Sequence, residues 1–105
     1  MARGRPRPLK ILVLNSDEVS AACPMAGCID EMEKVFELQG RGKVDSPLRS
    51  RLAVPAGDVL IMPSMVNRAA AEASVKVVSV FPNNRGGVPS INAATILVDG
   101  ETGQR

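Results

Sequence analysis

The sequence predicts an α+β fold: a helical pair packed on a mostly antiparallel sheet. Three observations carry this reading. Met25, Cys28, Ile29, Met32, Val35 and Phe36 recur at helical spacing, while Asp30, Glu31, Glu33, Lys34 and Glu37 take the other face. Everything beyond Gly42 reads as β, in short runs rich in β-branched residues such as Val75-Lys76-Val77-Val78-Ser79-Val80-Phe81. Pro55-Ala56-Gly57 divides two of these runs as a hairpin-type turn.

In chain order, residues 1–8 hold two prolines and three arginines and read as a disordered basic arm ahead of a domain over 9–105. Lys10-Ile11-Leu12-Val13-Leu14 reads as a short strand. A helix start follows, with Ser16 as N-cap and Asp17 and Glu18 in its first turn, and this helix runs to about Cys23. Pro24 suits the first turn of the second helix, which Gly40 and Gly42 end. Strands are expected over 47–54, 58–62, 73–81 and 90–98. Residues 67–73 fit a helical turn or a loop, and Pro82-Asn83-Asn84-Arg85-Gly86-Gly87 is a loop. Asp99-Gly100-Glu101-Thr102-Gly103 is a strong hairpin turn, yet the chain stops at Arg105 with no returning strand. The expectation is a chain cut in mid-hairpin, whose incomplete sheet leaves an edge for a partner or a second copy.

Composition narrows the function classes. A chain of 105 residues allows one domain, and 45% hydrophobic with 23% charged residues is globular rather than disordered. Phe36 and Phe81 are the only aromatics, so the core is aliphatic and stacking platforms for single-stranded nucleic acid are missing. With no histidine, Ser-His and Cys-His catalysis within the chain are excluded and the commonest zinc ligand is gone. Cys23 and Cys28 match no metal spacing and are expected as buried small hydrophobes in a reducing compartment. No apolar run approaches the roughly 18 residues of a membrane span. No apolar segment follows the basic N-terminus as in a secretory signal, so a cytoplasmic protein is expected. The net charge of +2 comes from the arm: the first ten residues hold Arg3, Arg5, Arg7 and Lys10 and no acid. The body is slightly acidic, so the charge balance argues against nucleic acid as a partner. Arg3-Gly4-Arg5-Pro6 resembles the core of an AT-hook, but four residues in a solvated tail carry little weight.

Two cationic strands stand out. Lys76 is alone in an apolar run and must face water or be held by an anion. Over 47–54, alternation puts Arg49 and Arg51 on one face and Leu48, Ser50, Leu52 and Val54 on the other. Guanidinium groups bind planar anions bidentately, so with Lys76 they suggest a small carboxylate site. A solvated outer face explains the same pattern. The loop around Asn84 suits a ligand contact. It is not a phosphate loop, no Gly-x-Gly-x-x-Gly occurs, and Gly40-x-Gly42 follows a helix instead of a strand.

Several segments together resemble the N-terminal part of the ornithine cyclodeaminase/μ-crystallin family, which includes alanine dehydrogenases and ketimine reductases. They are Ile11-Leu12-Val13-Leu14 before a helix start, Pro24-Met25 opening a helix that ends near Glu37-Leu38, and Pro47-Leu48-Arg49-Ser50-Arg51-Leu52. Ile61-Met62-Pro63-Ser64, Lys76-Val77-Val78-Ser79-Val80-Phe81-Pro82-Asn83-Asn84, Val88-Pro89-Ser90-Ile91-Asn92-Ala93 and the Asp99–Gly103 turn follow in order. The resemblance implies that Arg49 and Lys76 bind the carboxylate of an amino or imino acid. It further implies that Lys76 is catalytic, polarising the C=N or C=O centre during hydride transfer. Met62, Asn84 and Ser90 complete the implied substrate-binding set, although the loop before Ser90 is one residue shorter than usual. Ornithine-specific members can carry an acid before the Met-Pro pair; Val59-Leu60-Ile61 here argues against ornithine itself. A lysine beside an arginine has its charged form disfavoured by like charge and desolvation, and an incoming carboxylate restores the balance.

The family's cofactor is NAD(H) or NADP(H), held by a second, Rossmann domain that also supplies a catalytic aspartate and another arginine. Such a domain needs roughly 100–200 further residues. The chain alone is therefore expected to be inactive and to act as the substrate-binding and dimerisation part of an enzyme, as a homodimer or with a companion chain. The alternative is a non-catalytic carboxylate-binding or protein-interaction module.

Overall fold

Two helices lead into a sheet in which every pairing is antiparallel. The computed structural model describes residues 10–69 and 71–104, so the arm over 1–8 and its hook-like tetrapeptide lie outside the described residues. In chain order the elements are α1 (Ser16–Ala22), α2 (Met25–Gly40), β1 (Val44–Asp45), β2 (Ser50–Val54), β3 (Gly57–Val66), β4 (Glu72–Val80) and β5 (Ile91–Asp99). The α+β class expected from sequence is the one observed.

The helix boundaries follow from capping. Asn15, not Ser16, is the N-cap of α1: its side-chain oxygen accepts the Glu18 N–H at 2.9 Å, and the Glu18 carboxylate accepts the Asn15 N–H at 3.0 Å. This reciprocal pair needs the cap three residues before the glutamate, which Ser16 is not. At the end of α2, Gly42 takes a positive φ of 74°. That lets Lys43 N–H reach the Leu38 carbonyl at 2.9 Å and Gly42 N–H reach that of Gln39 at 3.0 Å. The strand expected over 10–14 is not formed. Ile11, Leu12, Val13 and Leu14 are exposed and irregular, because no strand among the described residues lies beside them.

The sheet is built around β3. One side of β3 pairs with β4 along its whole length, and β5 then pairs with β4. The other side is shared: β2 covers Gly57 to Ile61, and β1 covers Met65 and Val66. Between them, Met62, Pro63 and Ser64 have no partner on that edge. Pro63 explains the gap, since proline has no N–H to give to a ladder. The strand expected from Pro47 therefore begins only at Ser50, and Pro47, Leu48 and Arg49 lie in the connection from β1. β3 runs four residues past its expected end at Met62, because β4 pairs with it throughout.

Pro55 and Ala56 form the expected tight turn, and Gly57 follows it against Val80 and Phe81. A Cβ at Gly57 would collide with the Val80 carbonyl oxygen and come within 2.9 Å of the Phe81 ring. Gly57→Ala is expected to lower stability by about 1–3 kcal/mol, read as a drop in the urea midpoint; an unchanged midpoint would contradict this packing. At the other end, the Asp99 carboxylate accepts the Glu101 N–H at 2.8 Å, and Asp99 N–H donates to the Gln104 carbonyl at 2.7 Å, closing the predicted turn.

α2 meets the sheet along β1 and through Arg68, whose guanidinium bonds Glu72 at 2.9 Å and lies 3.6 Å from Glu31. Lys34, bonded to Glu31 at 3.2 Å, is the main cause that holds the Glu31 carboxyl below its ordinary value, with Arg68 adding to it. A depressed carboxylate stabilises above its unfolded pKa, and that contribution is lost as pH falls through the folded value. The Glu31 side-chain signal should thus titrate below that of an unpaired glutamate. A midpoint at or above that would remove this tie.

Register divides the sheet into two unlike faces. Arg51, Asp58, Ser64, Glu72, Ser74, Lys76, Thr95 and Asp99 share one with the apolar Leu60, Met62, Val66, Val78, Val80, Ile91 and Leu97; Leu52, Val59, Ile61, Met65, Val75, Val77 and Ile96 share the other. The aliphatic core expected within the chain is not enclosed: among the described residues none is fully buried. Ile61 is 43% exposed, Val77 37% and Ile96 45%, and the Met25, Ile29, Met32 and Phe36 stripe of α2 is open too. The accessible surface is 8948 Å², against about 5,700 Å² for a compact monomer of this mass. The radius of gyration is 17.2 Å, against about 13 Å for a compact chain.

Candidate functional site

The β3–β4 register sets Met62 directly opposite Lys76, and the β4–β5 register sets Thr95 opposite Lys76 on the other side. Directly opposed residues point to the same face. A row Met62–Lys76–Thr95 thus crosses the sheet, flanked on one side by Ser64, Ser74 and Leu97 and on the other by Leu60, Val78 and Ala93. Lys76 is exposed, while Met62 is half-buried beneath this face.

Arg49 stands at the end of this row. It directly precedes Ser50, which pairs with Ile61, so the chain enters the sheet from Arg49 at the mouth of the edge gap that begins at Met62. Two strand spacings separate that position from Lys76, about 10 Å. Long cationic side chains from both ends can span this distance to one small anion. Arg49 and Arg51, which alternation puts on one face, differ. Arg51 Nε donates to the Asp58 carboxylate at 2.8 Å, and Asp58 holds the guanidinium's pKa above its ordinary value. Lys34, Arg41 and Arg68 are likewise committed to carboxylates. Among the described residues, neither Arg49 nor Lys76 has an ion-pair partner.

Asn84 and Ser90 are not in this row. Both lie in the connection between β4 and β5, and Ser90 precedes Thr95 by five residues, about 17 Å along a strand. The Asn84 side-chain amide donates to the Pro89 carbonyl at 3.0 Å, its main-chain N–H donates to the Phe81 carbonyl at 3.2 Å, and Ser90 contributes its carbonyl to Phe81 N–H at 2.7 Å. These groups shape the loop. The hydroxyls of Thr95 and Ser74 were missed by sequence reasoning. They become visible only once β4 and β5 are folded back on each other about the 81–90 loop.

The described residues do not fit a dinucleotide. Both helices precede the strands, so none of these strands runs through a glycine turn into a helix N-terminus that would cradle a pyrophosphate. What the row can do is electrostatic. Two uncommitted cations stand on either side of the Met62 thioether, with the Thr95 hydroxyl beyond Lys76, which suits a planar anion with a short apolar substituent.

The model of the "Ornithine cyclodeaminase/mu-crystallin family" matches residues 10–105. An archaeal alanine dehydrogenase, solved as a dimer with bound NAD, superposes with a TM-score of 0.75 at 30% sequence identity over 84% of this chain. The chain spans 27% of that protein's length. No curated protein matches the sequence.

Proposed function

Because the chain belongs to the ornithine cyclodeaminase/mu-crystallin family, we propose that it is the substrate-binding and dimerisation part of an NAD(P)-dependent enzyme acting on a small amino or imino acid. The observation that carries this reading is a pair of cations without ion-pair partners among the described residues, Arg49 on the Met62 side and Lys76 directly opposite Met62. Arg49 takes the substrate carboxylate, bidentately where geometry allows, and Lys76 shares it from the opposite side. The Lys76 ammonium also lies within reach of the adjoining C=N or C=O centre, where it stabilises the charge that develops when that centre is attacked. Thr95 and Ser74 offer hydroxyls that orient the ammonium. Leu60 and Val78 flank the row with apolar surface, which favours a short uncharged substrate side chain and disfavours the amine of ornithine. Asn84 and Ser90 serve as loop residues at the end of the sheet and approach substrate only through a bound nucleotide or a larger ligand.

The nicotinamide chemistry belongs to residues other than those described, so this chain holds and polarises rather than transfers hydride. Titrating the isotope-labelled chain with pyruvate, in the absence of nucleotide, tests the proposal. Amide signals of Met62, Lys76 and Thr95 should move together, and those of Asn84 and Ser90 should stay. If no signal in the row moves, the site model is wrong.

A further inference from the structure

Cys23 and Cys28 are not the buried hydrophobes their composition suggests: Cys23 is exposed, Cys28 is half-buried, and both are free. Their sulfurs lie 2.7 Å apart, and Cys28 Sγ also donates to the Cys23 carbonyl oxygen at 3.2 Å. The backbone brings them together. Cys23 caps the C-terminus of α1, its N–H bonded to the Val19 carbonyl at 3.0 Å. Pro24 then turns the chain with φ −58° into α2, where Cys28 N–H closes the first helical bond on the Pro24 carbonyl at 2.9 Å. Cys28 thus points back over the junction at the residue that ends the preceding helix. A disulfide needs the two sulfurs at about 2.05 Å, a short closure from the distance observed. No substrate contact proposed above involves either thiol, so nothing in the carboxylate site accounts for the pair.

We propose that Cys23 and Cys28 form a reversible disulfide that clasps α1 to the first turn of α2. The oxidant is a low-molecular-weight disulfide such as oxidised glutathione. One protein thiolate attacks it, forming a mixed disulfide and releasing one thiol; the second protein thiolate then attacks the mixed disulfide and releases the other. Two protein S–H bonds are exchanged for one S–S bond, and the oxidant leaves as two thiols. The hydrogen bond to Cys28 is the main cause that raises the Cys23 thiol above its ordinary value, so exchange is faster at alkaline pH, where more thiolate is present. The clasp matters because, among the described residues, α1 is capped at Asn15 but has no buried residue to anchor it. Oxidation therefore adds a covalent tie between α1 and α2 across their short connection.

The test is mass spectrometry and thiol titration of the full chain after exposure to oxidised glutathione at pH 8.5. The expected product is a monomer on non-reducing gels that is lighter by about 2 Da, the mass of two hydrogens. It should contain no titratable thiol and should be restored by dithiothreitol. Cys23→Ser, which cannot resolve the mixed disulfide, should instead carry one glutathione on Cys28. Amide exchange across α1 should slow on oxidation of the wild-type chain and not of this variant. A wild-type product that keeps bound glutathione, cross-links between chains or remains reduced would overturn the proposal.

Discussion

Lys76→Ala should weaken the binding of pyruvate or a cyclic imino acid by about tenfold to a hundredfold. That range corresponds to the roughly 1.5–3 kcal/mol of a hydrogen bond to a charged group. The fold should be untouched, because Lys76 is exposed and among the described residues has no ion-pair partner to strand. Lys76→Met separates charge from bulk: it keeps the aliphatic stem against Met62 and Thr95 but should bind no better than the alanine variant. Lys76→Arg should recover part of the affinity, since the cation remains while its geometry changes. Arg51→Ala is the internal control. Its guanidinium is already occupied by Asp58 at 2.8 Å, so pyruvate affinity should change little. Equal losses for Arg51 and Lys76 would point to a general field of positive charge in place of a site.

Val77→Glu should have the opposite profile, abolishing self-association while leaving the face that carries Lys76 intact. Val77 neighbours Lys76 in sequence but points to the other side of the sheet, among Ile61, Met65, Val75 and Ile96. That face is exposed in the single chain and offers a partner an apolar surface to cover. A second copy is the proposed cover. A carboxylate forced into such an interface is left without a partner, a loss of about 3 kcal/mol or more, which is at least a hundredfold in the dimer dissociation constant. Sedimentation should show a dimer for the wild-type chain, a monomer for Val77→Glu and a dimer for Ala93→Glu on the face that carries Lys76. A wild-type monomer at tens of micromolar, or a dimer unaffected by Val77→Glu, would contradict this assignment.

The sequence exposes those parts of the fold that depend on local signals. α2 is legible because its apolar period and its terminal glycines agree, and the Pro55-Ala56 turn because proline and glycine restrict the backbone there. The strands β3, β4 and β5 follow from their β-branched runs, with ends displaced by pairing that only tertiary structure sets. Ile11 to Leu14 misleads for the same reason. An apolar run looks like a strand, but a strand needs a neighbour, and none of the described residues supplies one. The site is less legible. Nothing in the spacing of Met62 and Lys76 says that they are cross-strand partners; the register of β3 on β4 does. Nor does alternation distinguish Arg49 from Arg51. The distinction comes from Asp58, set diagonally across the β2–β3 hairpin, and from Pro63, which breaks the edge just where Arg49 enters it.

The most direct test of the central claim is a double-mutant cycle on Arg49 and Lys76, read as pyruvate affinity. If both cations hold one carboxylate, Arg49→Ala and Lys76→Ala should each weaken binding, and the double variant should lose clearly less than the two single losses combined, with a coupling of about 0.5 kcal/mol or more. Strictly additive losses, or no loss from either variant, would show that the two cations do not share a ligand.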